Sequence, residues 1–160
     1  MLRPAKSDDL PTLRAIRDAA QNRLVQIGSL QFLSDVEHTE HYWLFSTSDV
    51  PIGMCRIDPC APSHIEPYLS PRPDAYLSSL TIHPDSQSRG LGKQLVSELQ
   101  ATGKSMGLDV WAGNDRLRKW YEALGWRHIA TVEEVDHDQK YDVAVSPRLM
   151  SGWATAFFVS

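Results

Sequence analysis

Leu80-Thr81-Ile82-His83-Pro84-Asp85-Ser86-Gln87-Ser88-Arg89-Gly90-Leu91-Gly92-Lys93-Gln94-Leu95 is the stretch that decides the fold. It reads as a strand, a sharp polar turn, and a helix opened by glycines, with the pattern Gln-x-x-Gly-x-Gly. A helix N-terminus leaves backbone N–H groups without intrahelical partners and carries partial positive charge. Glycines there remove the Cβ atoms that would keep an anion away from those donors. The stretch therefore reads as an anchor for a phosphorylated ligand.

Two familiar phosphate loops do not fit. A Walker A loop needs a glycine five positions before its Gly-Lys pair and a Ser or Thr after the lysine. Gln87 and Gln94 occupy those positions. A dinucleotide fingerprint needs a third glycine three residues after the second, where this chain has Leu95.

Downstream, Leu91, Leu95 and Leu99 recur at helical spacing, and Thr102-Gly103 and Gly107 punctuate the end of that helix. Leu108-Asp109-Val110-Trp111-Ala112 is a short, mainly apolar run that reads as a strand. Asn114 or Asp115 then caps a second helix whose Leu117, Trp120, Tyr121 and Leu124 fall at i, i+3, i+4 and i+7. Gly125 ends it, and Trp126 to Val132 begins another strand.

The order strand, helix, strand, helix, strand, with Gln-x-x-Gly-x-Gly followed by Asn114 and Trp120-Tyr121-Glu122-Ala123-Leu124-Gly125-Trp126, resembles the GNAT superfamily of N-acetyltransferases. The resemblance is close over residues 74–132 and holds in outline elsewhere. Ser88 stands where many members have glycine, and Gln87 where many have arginine. The resemblance implies an α+β (α/β) fold, with a mixed, mostly antiparallel central sheet flanked by helices and splayed central strands. It implies acetyl-CoA as acyl donor and an amine acceptor, with the acetyl group moved directly and no metal. Gln87, Ser88, Arg89, Gly90, Leu91, Gly92 and Lys93 match the coenzyme pyrophosphate loop. Leu80, Thr81 and Ile82 match a bulged strand whose main chain meets the thioester and pantetheine. Tyr121 matches the general acid. Asn114 matches a residue that contacts the coenzyme or fixes the loop beside it, and helix capping explains it equally well.

A phenol with a reference pKa of about 10 is suited to protonate a departing thiol of about 8.5. Tyr121 also has the spacing of a core residue. The general base is open: Asp74, just before the central strand, is the candidate, with His64 and Glu66 nearby and Ser79 and Thr81 able to order a water. His83 reads as a structural turn residue. Arg116, Arg118 and Lys119 give the second helix a basic character, which suits either a coenzyme phosphate or a solvated face.

Composition bounds the rest. The 160 residues suit one domain, residues 1–160, with 42% hydrophobic and 22% charged content typical of a globular protein. A net charge of −4 gives no footprint for nucleic acid and leans toward a cationic acceptor. No apolar run reaches membrane-spanning length, and Met1 to Lys6 lacks a signal peptide's apolar core, so a cytoplasmic location is expected. Cys55 and Cys60, with four residues between them and no neighbouring Cys or His set, lack a zinc-ligand pattern and read as reduced structural cysteines.

In the first half, Leu2 to Ala5 reads as an edge strand, and Ser7-Asp8-Asp9 caps a helix bearing Leu10, Leu13 and Ile16 on one face. Arg23 to Leu33 is expected to continue as a second helical or irregular segment. His41–Ser46 and Ile52–Ile57 form a hairpin about Ser48-Asp49-Val50-Pro51. Five of the ten prolines fall between Pro59 and Pro73, so that stretch is a loop, either a surface connection or a wall of the acceptor pocket. Glu133 to Asp138 reads as an acidic connection and Tyr141 to Val145 as a last strand. The apolar tail, residues 151–160, is expected to pack on its own domain or at a homodimer interface. The leading expectation is an acetyl-CoA-dependent N-acetyltransferase acting on a small-molecule or peptide amine; a non-catalytic coenzyme A-binding or sensing module on the same fold is the alternative.

Overall fold

A computed structural model describes residues 1–29, 31–135 and 151–159. The chain forms two compact units, one of Met1–Pro59 with Leu77–Lys104 and one of Cys60–Tyr76 with Ser105–Ser160.

The first unit contains β1 (Leu2–Pro4), α1 (Leu10–Gln26), β2 (Tyr42–Thr47), β3 (Val50–Asp58), most of β4 (Ala75–Ile82) and α2 (Leu91–Gln100). Its strands lie in the order β1-β2-β3-β4, with β1/β2 and β2/β3 antiparallel. The β2–β3 turn is the two residues Ser48 and Asp49, at φ 47° and 64°. Positive φ at both positions matches the right-handed twist of the flanking strands. One face of α1 buries Leu13 and Ile16 against Tyr42, Leu44 and Met54. Leu95, Val96 and Leu99 are the buried residues of α2.

Between α1 and β2 the described residues form no second helix, and the segment is irregular. Helix α1 runs on to Gln26, and its polar face then binds the returning chain. Arg14 Nε donates to the Val36 carbonyl at 2.8 Å, Arg17 Nη2 to the Leu33 carbonyl at 2.6 Å, and Leu33 N–H to Gln21 Oε1 at 2.8 Å. Side chains of α1 satisfy main-chain groups that a second helix would have paired internally.

The second unit contains β5 (Met106–Trp111), α3 (Asp115–Ala123), β6 (Arg127–Val135) and β7 (Ser151–Val159), in the strand order β5-β7-β6. Both of those ladders are antiparallel. Ala75 and Tyr76, the first residues of β4, pair in parallel with Met106 and Gly107, and the ladder stops there. The sheet is thus mixed, mostly antiparallel and flanked by helices. The apolar tail is β7, a strand hydrogen-bonded on both sides. Glu133 to Val135 belong to β6, while the rest of the acidic connection and the strand expected at Tyr141–Val145 lie outside the described residues.

The proline-rich stretch is more than a surface connection. Ile65 is 0% and Leu69 3% exposed, and both pack with Tyr76. Leu69 sits where a side chain at 107 would project: a Cβ on Gly107 would lie 2.7 Å from Leu69 Cδ1 and 3.3 Å from Pro73 Cγ. Gly107→Ala is expected to destabilise the protein by about 1–3 kcal/mol through overpacking, read as a fall in melting temperature.

Candidate active site

The glycine turn lies in the first unit. A short 3-10 turn, Pro84–Ser86, follows β4, with His83 Nδ1 accepting from the Asp85 N–H at 3.3 Å. His83 is a turn-forming residue here, as its place in the sequence indicated. The Gln87 side chain is turned back to the strand, Nε2 donating to the Ile82 carbonyl at 2.9 Å, so it fastens the loop. Ser88 and Gly90 both take the left-handed conformation, at φ 63° and 75°. Ser88 therefore holds, as a serine, a backbone shape that glycine adopts without strain.

Gly90 is the N-cap of α2 and no side chain caps the helix. The N–H groups of the first turn consequently have no side-chain cap among the described residues. A Cβ built on Gly90 meets nothing within 4 Å, leaving open space before those donors. Arg89 and Lys93 are exposed and form no ion pair among the described residues. This combination of donors, helix dipole, free cations and missing Cβ is suited to a diphosphate.

The strand leading into the loop carries a local distortion. Ser79 has φ 51°, left-handed within β4, and the burial pattern changes there: Ser78, Ser79 and Leu80 are half-buried between buried Leu77 and buried Thr81. Thr81 Oγ1 donates to the Ser79 carbonyl at 3.1 Å. Ile82 is buried against Gly53, whose Cβ would meet Ile82 Cδ1 at 2.7 Å. A non-glycine residue in this conformation costs about 1–2 kcal/mol, which the neighbouring packing must offset. Such distortions re-aim the main chain of a strand.

The remaining sequence-derived candidates lie in the second unit. Asn114 caps α3, Oδ1 accepting from the Leu117 N–H at 3.1 Å. Tyr121 is the buried residue of α3, 4% exposed, with edge-to-face contacts to Trp120 and Trp126 at centroid distances of 4.9 and 5.5 Å. The helical spacing and the motif position thus describe one residue whose ring is held by two indoles.

Asp74 is exposed at the start of β4, and its carboxylate is engaged by Ser105. Oδ2 accepts from the Ser105 N–H at 2.9 Å and from its hydroxyl at 2.8 Å. These bonds staple the beginning of β4 to the beginning of β5. The basic face of α3 is also largely spoken for. Arg118 pairs with Asp115 at 2.7 Å and Glu122 at 3.6 Å, and Lys119 with Asp115 at 3.6 Å. The Arg118 hydrogen bond lowers the Asp115 carboxyl below its ordinary value. Arg116 is left as the α3 cation without an ion pair among the described residues.

Both cysteines are free. Burial pushes the Cys55 thiol up to about 12, so it stays protonated and inert. Among the described residues, no helix is long and apolar enough to cross a membrane, and no cluster of His, Cys, Asp and Glu has the grouping of a metal site.

Sequence reasoning passed over Asp109. It lies half-buried on β5, and the Tyr76 phenol donates to its Oδ1. The available signal was a single charged residue inside an apolar strand.

Comparison with known proteins agrees with this fold. The acetyltransferase (GNAT) family profile matches residues 8–126. An N-acetyltransferase from Staphylococcus aureus Mu50 shares 17% identity at a TM-score of 0.63, over 100% of this chain and 97% of that one. A ribosomal-protein-alanine N-acetyltransferase from Brucella melitensis shares 19% at 0.64, over 99% and 98%. A Salmonella typhimurium protein, yncA, assigned as an acetyltransferase and solved with its cofactor acetyl-CoA, shares 16% at 0.62, over 100% and 92%. Likeness at these identities speaks for the fold alone. No individually curated protein matches the sequence.

Proposed function

The chain belongs to the GNAT acetyltransferase family, and from that premise we propose that it transfers an acetyl group from acetyl-CoA directly to a primary amine of a small molecule or peptide. The observation that carries this reading is the uncapped N-terminus of α2 behind left-handed Ser88 and Gly90. That anchor fits the coenzyme pyrophosphate, with Gln87 fastening the loop, Leu91 and Gly92 presenting main chain, and Arg89 and Lys93 supplying countercharge. Main-chain N–H groups of Leu80, Thr81 and Ile82, re-aimed by the distortion at Ser79, are assigned to the thioester carbonyl and pantetheine. A fixed N–H at the developing oxyanion stabilises charge without reorganising.

Chemically, the neutral amine attacks the thioester carbon, a C–N bond forms and the C–S bond breaks. Tyr121 gives its phenolic proton to the departing sulfur and recovers one from the new ammonium centre. Asn114 is assigned to holding the start of α3 beside the coenzyme. Asp74, bound by Ser105, is assigned a stapling role rather than that of base.

The test is thiol release from acetyl-CoA across a panel of amines, with acetylation of the acceptor followed by mass spectrometry. The reading expects release above the hydrolysis background for at least one class of amine. Coenzyme binding with no stimulated release by any amine would favour a coenzyme-sensing module instead. The anchor can be tested separately through Gly90→Ala. A residue at φ 75° costs about 1–2 kcal/mol once it carries a Cβ. The added methyl also stands before the phosphate donors, so affinity for acetyl-CoA is expected to fall about tenfold by calorimetry, roughly the loss of 1.4 kcal/mol.

A further inference from the structure

Within the first unit, β4 turns out of regular strand geometry at Ser79, left-handed at φ 51°. Serine has no preference for that conformation, so neighbouring groups must fix it. Both ends of the distorted stretch are pinned. On the near side Leu77 is 2% exposed. On the far side Thr81 and Ile82 are buried, and the His83 N–H donates to the Ile52 carbonyl at 2.8 Å. Gly53 on β3 lies against this far end: a Cβ there would stand 3.0 Å from the Thr81 carbonyl oxygen and 2.7 Å from Ile82 Cδ1. What these contacts leave open is rotation of the peptide unit between Ser79 and Leu80.

Thr81 closes that freedom. Its Oγ1 donates to the Ser79 carbonyl at 3.1 Å. The side chain is 6% exposed and β-branched, so its χ1 is stiff and the hydroxyl is held in place. Valine would fill the same space with no polar atom to satisfy, so packing does not account for a hydroxyl here. The Ser79–Leu80 peptide is planar and trans, which puts its carbonyl and its N–H on opposite edges of one plane. Holding the Ser79 carbonyl therefore also sets the direction of the Leu80 N–H.

We propose that Thr81 is a positioning residue for acetyl transfer, its hydroxyl holding the Ser79 carbonyl so that the Leu80 N–H meets the thioester oxygen. This rests on the acetyl-transfer reading above and picks out, among the main-chain donors of β4, the one that serves the reacting carbonyl. As the amine nitrogen bonds to the thioester carbon, the carbonyl π pair moves onto oxygen, and it returns when the C–S bond breaks. The Leu80 N–H donates to that oxygen throughout and gives up no proton. A donor aimed before the reaction stabilises the developing charge without reorganising, and a misdirected one forfeits that advantage.

The experiment compares Thr81→Val and Thr81→Ser with the unaltered protein, with melting temperatures in parallel. The substrates are acetyl-CoA with spermidine, and acetyl-CoA with a short peptide bearing a free N-terminal alanine. Thr81→Val is expected to lower kcat about 10²-fold. KM for acetyl-CoA should stay within about twofold, because the lost interaction belongs to the transition state. Thr81→Ser, which keeps the hydroxyl, should hold kcat within about threefold of the unaltered protein. The Thr81→Val loss should be equal at every pH, since the hydroxyl exchanges no proton. A second readout needs no turnover. Acetyl-CoA labelled with carbon-13 at the thioester carbonyl should absorb at a lower infrared frequency when bound than when free, and Thr81→Val should return the band toward the free position.

An unchanged kcat in Thr81→Val, a loss that Thr81→Ser shares, a loss that varies with pH, or an infrared band that Thr81→Val does not move overturns the proposal while leaving acetyl transfer standing. Should Thr81→Val fail to fold, Thr81→Ala against Thr81→Ser makes the same comparison, and equal rates overturn it. If the unaltered protein acetylates neither acceptor, both readings fall.

Discussion

Tyr121→Phe is expected to lower kcat for acetyl transfer by about 10³-fold while leaving acetyl-CoA affinity nearly unchanged. The substitution removes the hydroxyl and keeps the ring. Tyr121 is 4% exposed and braced edge-to-face by Trp120 and Trp126, contacts that a phenyl ring keeps. The cost in stability should be about 1 kcal/mol, that of one lost hydrogen bond, too little to unfold the chain. A general acid matters most when the leaving group departs as an anion, so the defect should appear in kcat and should deepen for thioesters with poorer leaving groups. Steady-state thiol release, with melting temperatures in parallel, measures both. A kcat within a few fold of the unaltered protein would make Tyr121 a core residue and move the acid elsewhere.

Leu95→Ala is expected to destabilise the protein by about 3 kcal/mol, within the usual range for a fully buried leucine. Leu95 is 0% exposed and anchors the middle of α2, between Leu91 at the glycine turn and Leu99. For a chain of this size that corresponds to a fall in melting temperature of about 6–12 °C. Because α2 carries the proposed pyrophosphate donors, ligand should offset the damage. Acetyl-CoA at about a hundred times its Kd stabilises the folded state by about 2.7 kcal/mol, most of what the cavity removes. Thermal unfolding with and without acetyl-CoA checks both parts. A melting temperature unmoved by Leu95→Ala would mean that α2 is not held by its apolar face.

The most legible parts of this chain were those governed by neighbours in sequence. Gly90 at a left-handed N-cap, Asn114 as the cap of α3, and the stripe that buries Leu95 and Leu99 all follow from local rules. Three features were hidden because their causes lie far along the chain. Asp74 read as a candidate base by its place beside β4, and its hydrogen-bond partner Ser105 could not be seen because it lies 31 residues on. The apolar tail had no evident partner until β7 paired with both β5 and β6, strands that precede it. The segment after α1 read as helical or irregular, and the choice is made by Arg14, Arg17 and Gln21, which bind it as irregular chain. Ser79 was invisible for another reason. A left-handed serine within a strand is imposed by tertiary packing, and no residue preference announces it. Asp109 was overlooked because an apolar run was scored for strand pattern, and its one carboxylate was treated as an interruption.

The account stands or falls on what the loop from Gln87 to Lys93 holds. Isothermal titration calorimetry of the unaltered protein with acetyl-CoA, and separately with ATP, addresses this directly. The expected result is saturable binding of one acetyl-CoA per chain, weakened by Gly90→Ala, with ATP bound far more weakly. Saturable ATP binding without detectable acetyl-CoA binding would contradict it.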